Sequence, residues 1–89
     1  MPQVSLEIKN KVGLHARPAA LFVQTANKFK STITVKMGAA VANAKSILNV
    51  LTLGAGSGAV ITVVAEGEDA EQALSALKEL NANNFGEKG

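Results

Sequence analysis

The chain has no cysteine, no tryptophan and no tyrosine, and it contains only one histidine and one arginine. Because thiols are missing, disulfide frameworks and thiolate chemistry are excluded. One histidine without cysteine offers no ligand set for zinc, so we expect no metal site and no cofactor. The aromatic residues are three phenylalanines, which leave few surfaces for stacking bases, and we expect no nucleic acid partner.

Long apolar segments are also missing. No stretch approaches the roughly 20 residues of a membrane-spanning helix, and the start, MPQVSLEIKNK, lacks the basic leader and apolar run of a signal peptide. Hydrophobic residues make up 47% of the 89 residues and charged residues 18%, which is typical of a folded chain. We therefore expect one domain over residues 1–89, monomeric, cytoplasmic and not inserted in a membrane.

The charges that are present are unevenly distributed. Residues 1–45 carry a net charge of +6 and residues 46–89 a net charge of −4, within a total of +2. If the halves occupy different sides of the fold, one side would attract an anionic partner or ligand. If the sheet interleaves them, the field averages out, and the sequence leaves both arrangements open.

Hydrophobic periodicity predicts the secondary structure. Two-residue alternation and β-branched runs predict strands at 4–8, 31–37, 39–43 and 59–65. Helical periodicity predicts helices over 16–29 and 70–80, and Ser46 is the expected N-cap of a short helix between them. The order β-α-β-β-α-β-α favours an α+β fold of one sheet with its helices on one face. We expect the tail at 85–89 to be frayed.

The only histidine and arginine stand two residues apart in GLHARPAA, at residues 13–20. Proline is tolerated in the first helical turn, so Pro18 predicts a helix that begins at Ala16. His15 is then the N-cap, with its ring over the free N–H groups of Ala16 and Arg17. These donors, the helix dipole and the Arg17 guanidinium would all favour a phosphate.

A neutral imidazole nitrogen can attack phosphorus and form a phosphohistidine, and the added negative charge would meet a positive field. The alternative is that His15 only caps the helix and that Arg17 is a solvated surface charge. A serine-hydrolase triad is not supported, because every acid except Glu7 stands at residue 66 or later and no nucleophile elbow is present. The residues alone indicate that the site can accept a phosphoryl group.

Two segments carry a family resemblance. GLHARPAALFVQTANKF from residue 13 and NAKSILNVLTLGAGSG from residue 43 resemble the HPr family, the histidine-containing phosphocarriers of the bacterial sugar phosphotransferase system. The resemblance implies an open-faced β-sandwich, with a four-stranded antiparallel sheet and three helices on one face. It implies that His15 receives a phosphoryl group on Nδ1 from phosphorylated enzyme I and passes it to enzyme IIA, with no turnover of its own. It also implies that Arg17 stabilises the group in transit.

The second segment resembles the regulatory serine site of the family. The resemblance implies phosphorylation of Ser46 by an HPr kinase/phosphorylase, whereas the simpler interpretation is that Ser46 is only a helix cap. The glycine-rich stretch at 54–58 follows a helix and precedes a strand, the reverse of a nucleotide-binding loop, and we assign it no ligand. An HPr-like protein of a regulatory phosphorelay without sugar transport is the alternative function.

A partner surface is implied by the same resemblance. Ile47 and Leu48 would be partly exposed there, although a core position for the apolar residues of this short helix is the usual expectation. The residues implied in partner binding are Ala16, Arg17, Ala20, Gln24, Ile47, Leu48 and Leu51. Val12 and Asn49 depart from the residues common in the family, which leaves the choice of partners open.

Overall fold

The computed structural model describes residues 2–86, and it joins four antiparallel strands and three helices. The strands are β1 (Gln3–Glu7), β2 (Thr32–Met37), β3 (Ala40–Asn43) and β4 (Val60–Glu66). The helices are α1 (Ala16–Ala26), α2 (Ile47–Thr52) and α3 (Ala70–Ala82), and a 3-10 turn, Asn84–Gly86, follows α3. The predicted order of elements and the predicted α+β open-faced sandwich are confirmed.

The sheet places its strands in the order β1-β4-β2-β3. In β4, Ile61 stands opposite Leu6, and Val63 stands between Val4 of β1 and Val35 of β2. These side chains share one face because strand residues alternate between the two faces. Since β4 belongs to the acidic half of the chain and its two neighbours to the basic half, the sheet interleaves the two halves.

The core lies between the sheet and the helices. Ile33, Val35, Ile61 and Val63 are at most 1% exposed and contribute the sheet side, and Phe22 of α1 is completely buried among them and the helices. Burial of each such side chain contributes about 1.5–3 kcal/mol relative to exposure. This packing holds α1 in place, and with it the segment that precedes α1.

The first helix ends three residues earlier than periodicity predicts. The predicted helix extends to Phe29, whereas α1 ends at Ala26 with Asn27 as its C-cap. The Asn27 side-chain amide donates to the Val23 carbonyl at 2.9 Å, and the N–H of Phe29 donates to the Ala26 carbonyl, three residues back, at 3.2 Å. The chain tightens into turns there, while Phe29 still packs against the core.

The predicted fraying of the tail is wrong for the part of it that is described. Phe85 is 1% exposed and belongs to the core, although it has a left-handed φ of 54°, as Asn84 does with 52°. Burial of the ring compensates a conformation that costs non-glycine residues about 1–3 kcal/mol. Residues 87–89 lie outside the described part of the chain.

Candidate functional site

The structure begins α1 at Ala16, as predicted, with His15 as its N-cap. His15 has an extended backbone (φ −103°, ψ −163°), and its carbonyl accepts the first helical hydrogen bond from the Ala19 N–H at 2.7 Å. Its ring makes no cap hydrogen bond, and the residue is exposed. The imidazole therefore faces solvent at the start of a helix, where another protein can reach it.

Two backbone N–H groups at this helix start have no partner within residues 2–86, those of Ala16 and Arg17. Pro18, the next residue, is buried and has no N–H. No acidic residue stands in the first turn of α1, so the positive end of the helix dipole is not compensated locally. Together with the exposed Arg17 side chain, these donors provide a favourable place for an anion beside His15.

The glycine-rich loop has a structural role that sequence reasoning missed. The Leu14 N–H donates to the Ala55 carbonyl at 2.8 Å, so residues 54–58 support the segment that leads to His15. Gly13 has a left-handed φ of 67°, and a Cβ atom there would stand 2.6 Å from the Gly56 Cα atom. Such a close approach of two backbones requires glycine at position 13. Two glycine-containing segments, at 13 and 54–58, were the available signal, but only the fold brings them together.

Ser46 lies at the start of α2 and is half-buried. Its Oγ atom accepts from the Asn49 backbone N–H at 3.4 Å and from the Asn49 side-chain amide at 3.1 Å. The neighbouring Lys45 donates from Nζ to the Phe29 carbonyl at 2.6 Å. The capping role predicted for Ser46 is confirmed, and its regulatory role remains a prediction.

The residues implied in partner binding lie on α1 and α2, two helices that contact each other. Leu48 is 71% exposed and Ile47 is 37% exposed, while Val50 of the same helix is completely buried. A six-residue helix can turn only one side to the core, so its other apolar side chains remain outside. Ala16, Arg17 and Gln24 are exposed, and Ala20 and Leu51 are half-buried.

Val12, two residues before Leu14, is 53% exposed. It adds an apolar side chain close in sequence to His15, and periodicity did not single it out as exposed. Among residues 2–86, no group of three or more histidine, cysteine or acidic side chains is placed to hold a metal ion. No helix in that range is both long and apolar enough to cross a membrane.

Known proteins are similar to this chain in sequence and fold. The family model described as the PTS HPr component phosphorylation site matches residues 2–83. HPr-like protein Crh of Halalkalibacterium halodurans is 48% identical over 77 residues, which cover 86% of this chain and 92% of the relative. Phosphocarrier protein HPr of Xylella fastidiosa is 46% identical over 87 residues, which cover 98% of each chain.

The crystal structure of an HPr from Thermoanaerobacter tengcongensis matches with a TM-score of 0.97 and 53% identity, covering 100% of both chains. The helix start with its exposed histidine therefore occurs in a chain that matches the family model almost from end to end and has the fold of a solved member. The chain belongs to the HPr family of phosphocarrier proteins.

Proposed function

We propose that His15 accepts a phosphoryl group from phosphorylated enzyme I and passes it to a sugar-specific enzyme IIA during sugar uptake. The observation that carries the proposal is the exposed imidazole of His15 at the uncapped start of α1, in a member of the phosphocarrier family. An exposed site suits a carrier because a donor protein and an acceptor protein must reach the same nitrogen in turn.

The transfer forms one bond and breaks one. The Nδ1 lone pair of His15 attacks phosphorus, and the bond between phosphorus and the donor breaks, with its electron pair returning to the donor. The proton on Nε2 stays in place, so no general base is needed. In the second half of the cycle the acceptor attacks, and the N–P bond to His15 breaks in the same way.

The phosphoryl group on His15 would carry negative charge toward the start of α1. The N–H groups of Ala16 and Arg17 supply hydrogen-bond donors there, and the helix dipole contributes about 0.3–1 kcal/mol. The guanidinium of Arg17 can bind two phosphoryl oxygens at once. We propose that these groups stabilise the phosphorylated form enough to carry it, while the protein remains a stoichiometric carrier with no cofactor and no turnover of its own.

We propose that enzyme I and enzyme IIA dock on the surface formed by α1 and α2 around His15. The exposed Ile47 and Leu48 offer apolar contact, and the small side chains of Ala16 and Ala20 allow a partner backbone to approach. A small apolar contact surrounded by charge suits complexes that form and separate quickly. In this role the protein works as a single-domain monomer in the cytoplasm.

Ser46 is the proposed regulatory site of the same surface. Its hydroxyl lies in the residue before Ile47, so a phosphate on it would place negative charge beside the apolar docking residues. Such a charge at a helix start is compatible with the helix but repels acidic partner surfaces. We propose that an HPr kinase/phosphorylase would weaken the docking of enzyme I in this way.

A regulatory HPr-like protein without sugar transport is the second candidate. The 48% identity to a relative named HPr-like protein Crh supports it, because that identity is close to the 46% shared with a phosphocarrier protein HPr. The two candidates differ in their partners, so phosphoryl transfer from His15 to an enzyme IIA separates them.

Incubation with phosphoenolpyruvate and enzyme I, followed by intact-mass measurement, tests the function. We expect the wild type to gain one acid-labile phosphoryl group and His15→Ala to gain none. Arg17→Ala should fold normally by circular dichroism and accept the group more slowly, because an exposed guanidinium contributes little to stability. A wild type that gains no mass would refute the carrier function.

A further inference from the structure

A tight turn at residues 10–13 comes immediately before the site. The Gly13 N–H donates to the Asn10 carbonyl at 3.2 Å, and the Asn10 side-chain Nδ2 donates to the Gly13 carbonyl at 2.8 Å. Both polar backbone groups of Gly13 are therefore held by one residue. Asn10 is only 2% exposed, so its amide acts in a place from which water is nearly excluded.

The turn is attached to the rest of the fold on its far side. Gly13 lies directly against Gly56, and the Leu14 N–H bonds to the Ala55 carbonyl at 2.8 Å. Leu14 and Ala55 are each 3% exposed, so this contact is part of the core. The turn is therefore held from outside by Ala55 and Gly56, and internally by the buried side chain of Asn10.

His15 stands between two anchored segments. On one side, its carbonyl begins the hydrogen bonding of α1, and on the other, Leu14 alone separates it from the turn. The ring itself has no cap hydrogen bond, so its position follows from the backbone that carries it. Any loosening of the turn is therefore transmitted to His15 through Leu14.

We propose that Asn10 is a positioning residue for His15, an inference that rests on the proposed function. Its buried amide holds the Gly13 carbonyl and thereby keeps the His15 backbone in the orientation in which Nδ1 meets the donor phosphorus. Removal of the amide leaves a buried carbonyl without its donor, which favours opening of the turn. A displacement of about 1 Å at a reacting atom can reduce a rate about 100-fold.

The chain offers a matched control in Asn81. Its Nδ2 donates to the Glu7 carbonyl at 2.9 Å, and the residue is 5% exposed. Asn81→Ala therefore removes an amide-to-carbonyl bond of the same chemistry as Asn10→Ala, part-buried instead of fully buried, in α3 beside β1 instead of the turn. Loss of stability should be similar in the two variants, whereas loss of transfer should not.

The experiment measures phosphorylation of wild type, Asn10→Ala and Asn81→Ala by enzyme I and phosphoenolpyruvate, at a temperature where circular dichroism shows all three folded. We expect Asn10→Ala to lower kcat about tenfold with little change in KM, because the docking residues Ile47 and Leu48 are untouched. Asn81→Ala should keep the wild-type kcat. If Asn10→Ala does not fold, Asn10→Ser, with a smaller polar group, takes its place.

Hydrogen exchange at the Leu14 amide provides a second measurement that needs no partner protein. We expect exchange to accelerate more in Asn10→Ala than in Asn81→Ala, because the turn holds that amide on Ala55. If the two variants have equal kcat and equal exchange rates at Leu14, Asn10 has only a structural role and the proposal is wrong. A wild type that enzyme I does not phosphorylate would instead overturn the proposed function, and this proposal with it.

Discussion

Substitution of Gly13 by alanine gives the sharpest test of how the site is supported. Two separate effects act at this position, a left-handed backbone with φ of 67° and the contact with Gly56. Gly54 provides a matched control because its φ is 66° while a Cβ atom there would meet nothing within 4 Å. The difference between Gly13→Ala and Gly54→Ala therefore isolates the contact.

The expected magnitudes follow from these two effects. A left-handed conformation costs an alanine about 1–2 kcal/mol, and this applies to both variants. The Cβ at position 13 would stand 2.6 Å from the Gly56 Cα, a backbone atom that cannot rotate away. Forced overpacking of this kind costs about 1–3 kcal/mol more. We expect Gly13→Ala to lose about 2–5 kcal/mol in the free energy of unfolding, and Gly54→Ala about 1–2 kcal/mol.

Urea unfolding followed by circular dichroism measures both losses, with the slope m compared so that only changes in midpoint are interpreted. Gly56→Ala serves as a further control, because its added Cβ would stand in open space. If Gly13→Ala and Gly54→Ala lose the same free energy, the contact between the turn and residues 54–58 contributes nothing, and our account of the support for His15 is wrong.

Two further predictions concern parts of the fold away from the site. Asp69 accepts a hydrogen bond from the Ser31 hydroxyl. It also accepts from two backbone N–H groups, that of Lys30 at 2.8 Å and that of Ser31 at 3.0 Å. These bonds lower the pKa of Asp69 below its ordinary value. Because the folded pKa is the lower one, this carboxylate stabilises the fold fully above about pH 4 and loses its effect as the pH falls through the folded pKa. Thermal melting at a series of pH values should show a wild-type advantage over Asp69→Asn at pH 7 that disappears in strong acid; an advantage independent of pH would contradict this. Phe85→Ala should lower the free energy of unfolding by about 3–5 kcal/mol in urea titration, as for other buried aromatic residues. A loss below about 1 kcal/mol, typical of surface substitutions, would show that Phe85 belongs to a frayed tail and not to the core.

Most of the fold could be predicted because its segments have clear periodicity. Strand β4 is rich in β-branched residues and forms where they predict it, and the Ala19–Phe22–Ala26 face of α1 enters the core as helical spacing requires. Boundaries were predicted less well. Helix α1 stops at Ala26, after which the N–H groups of Lys28 and Phe29 donate to carbonyls three residues back instead of four, a local change that hydrophobic periodicity does not register.

The tail shows a second kind of error. Asn84 and Phe85 have the composition of a helix end, and local rules favour glycine over phenylalanine at a left-handed φ. Only the free energy of burying the aromatic ring in a core built by distant elements makes this conformation stable. The residues that form this core are distant from residue 85 in the sequence, so reasoning from neighbouring residues predicted a frayed end.

For the site, the sequence by itself determined the histidine, the arginine and the start of α1, because Pro18 and the helical period are local signals. It also determined the capping role of Ser46, which depends on residues within one helical turn. The tertiary structure alone decided that Gly13 and Leu14 lie on Ala55 and Gly56, and that the Asn10 side chain, which bonds to Gly13 only three residues away, is buried. The physical reason is the sequence separation of the residues that interact. Helix caps and hydrophobic periodicity act over a few residues, whereas the contact that supports His15 joins backbones about forty residues apart.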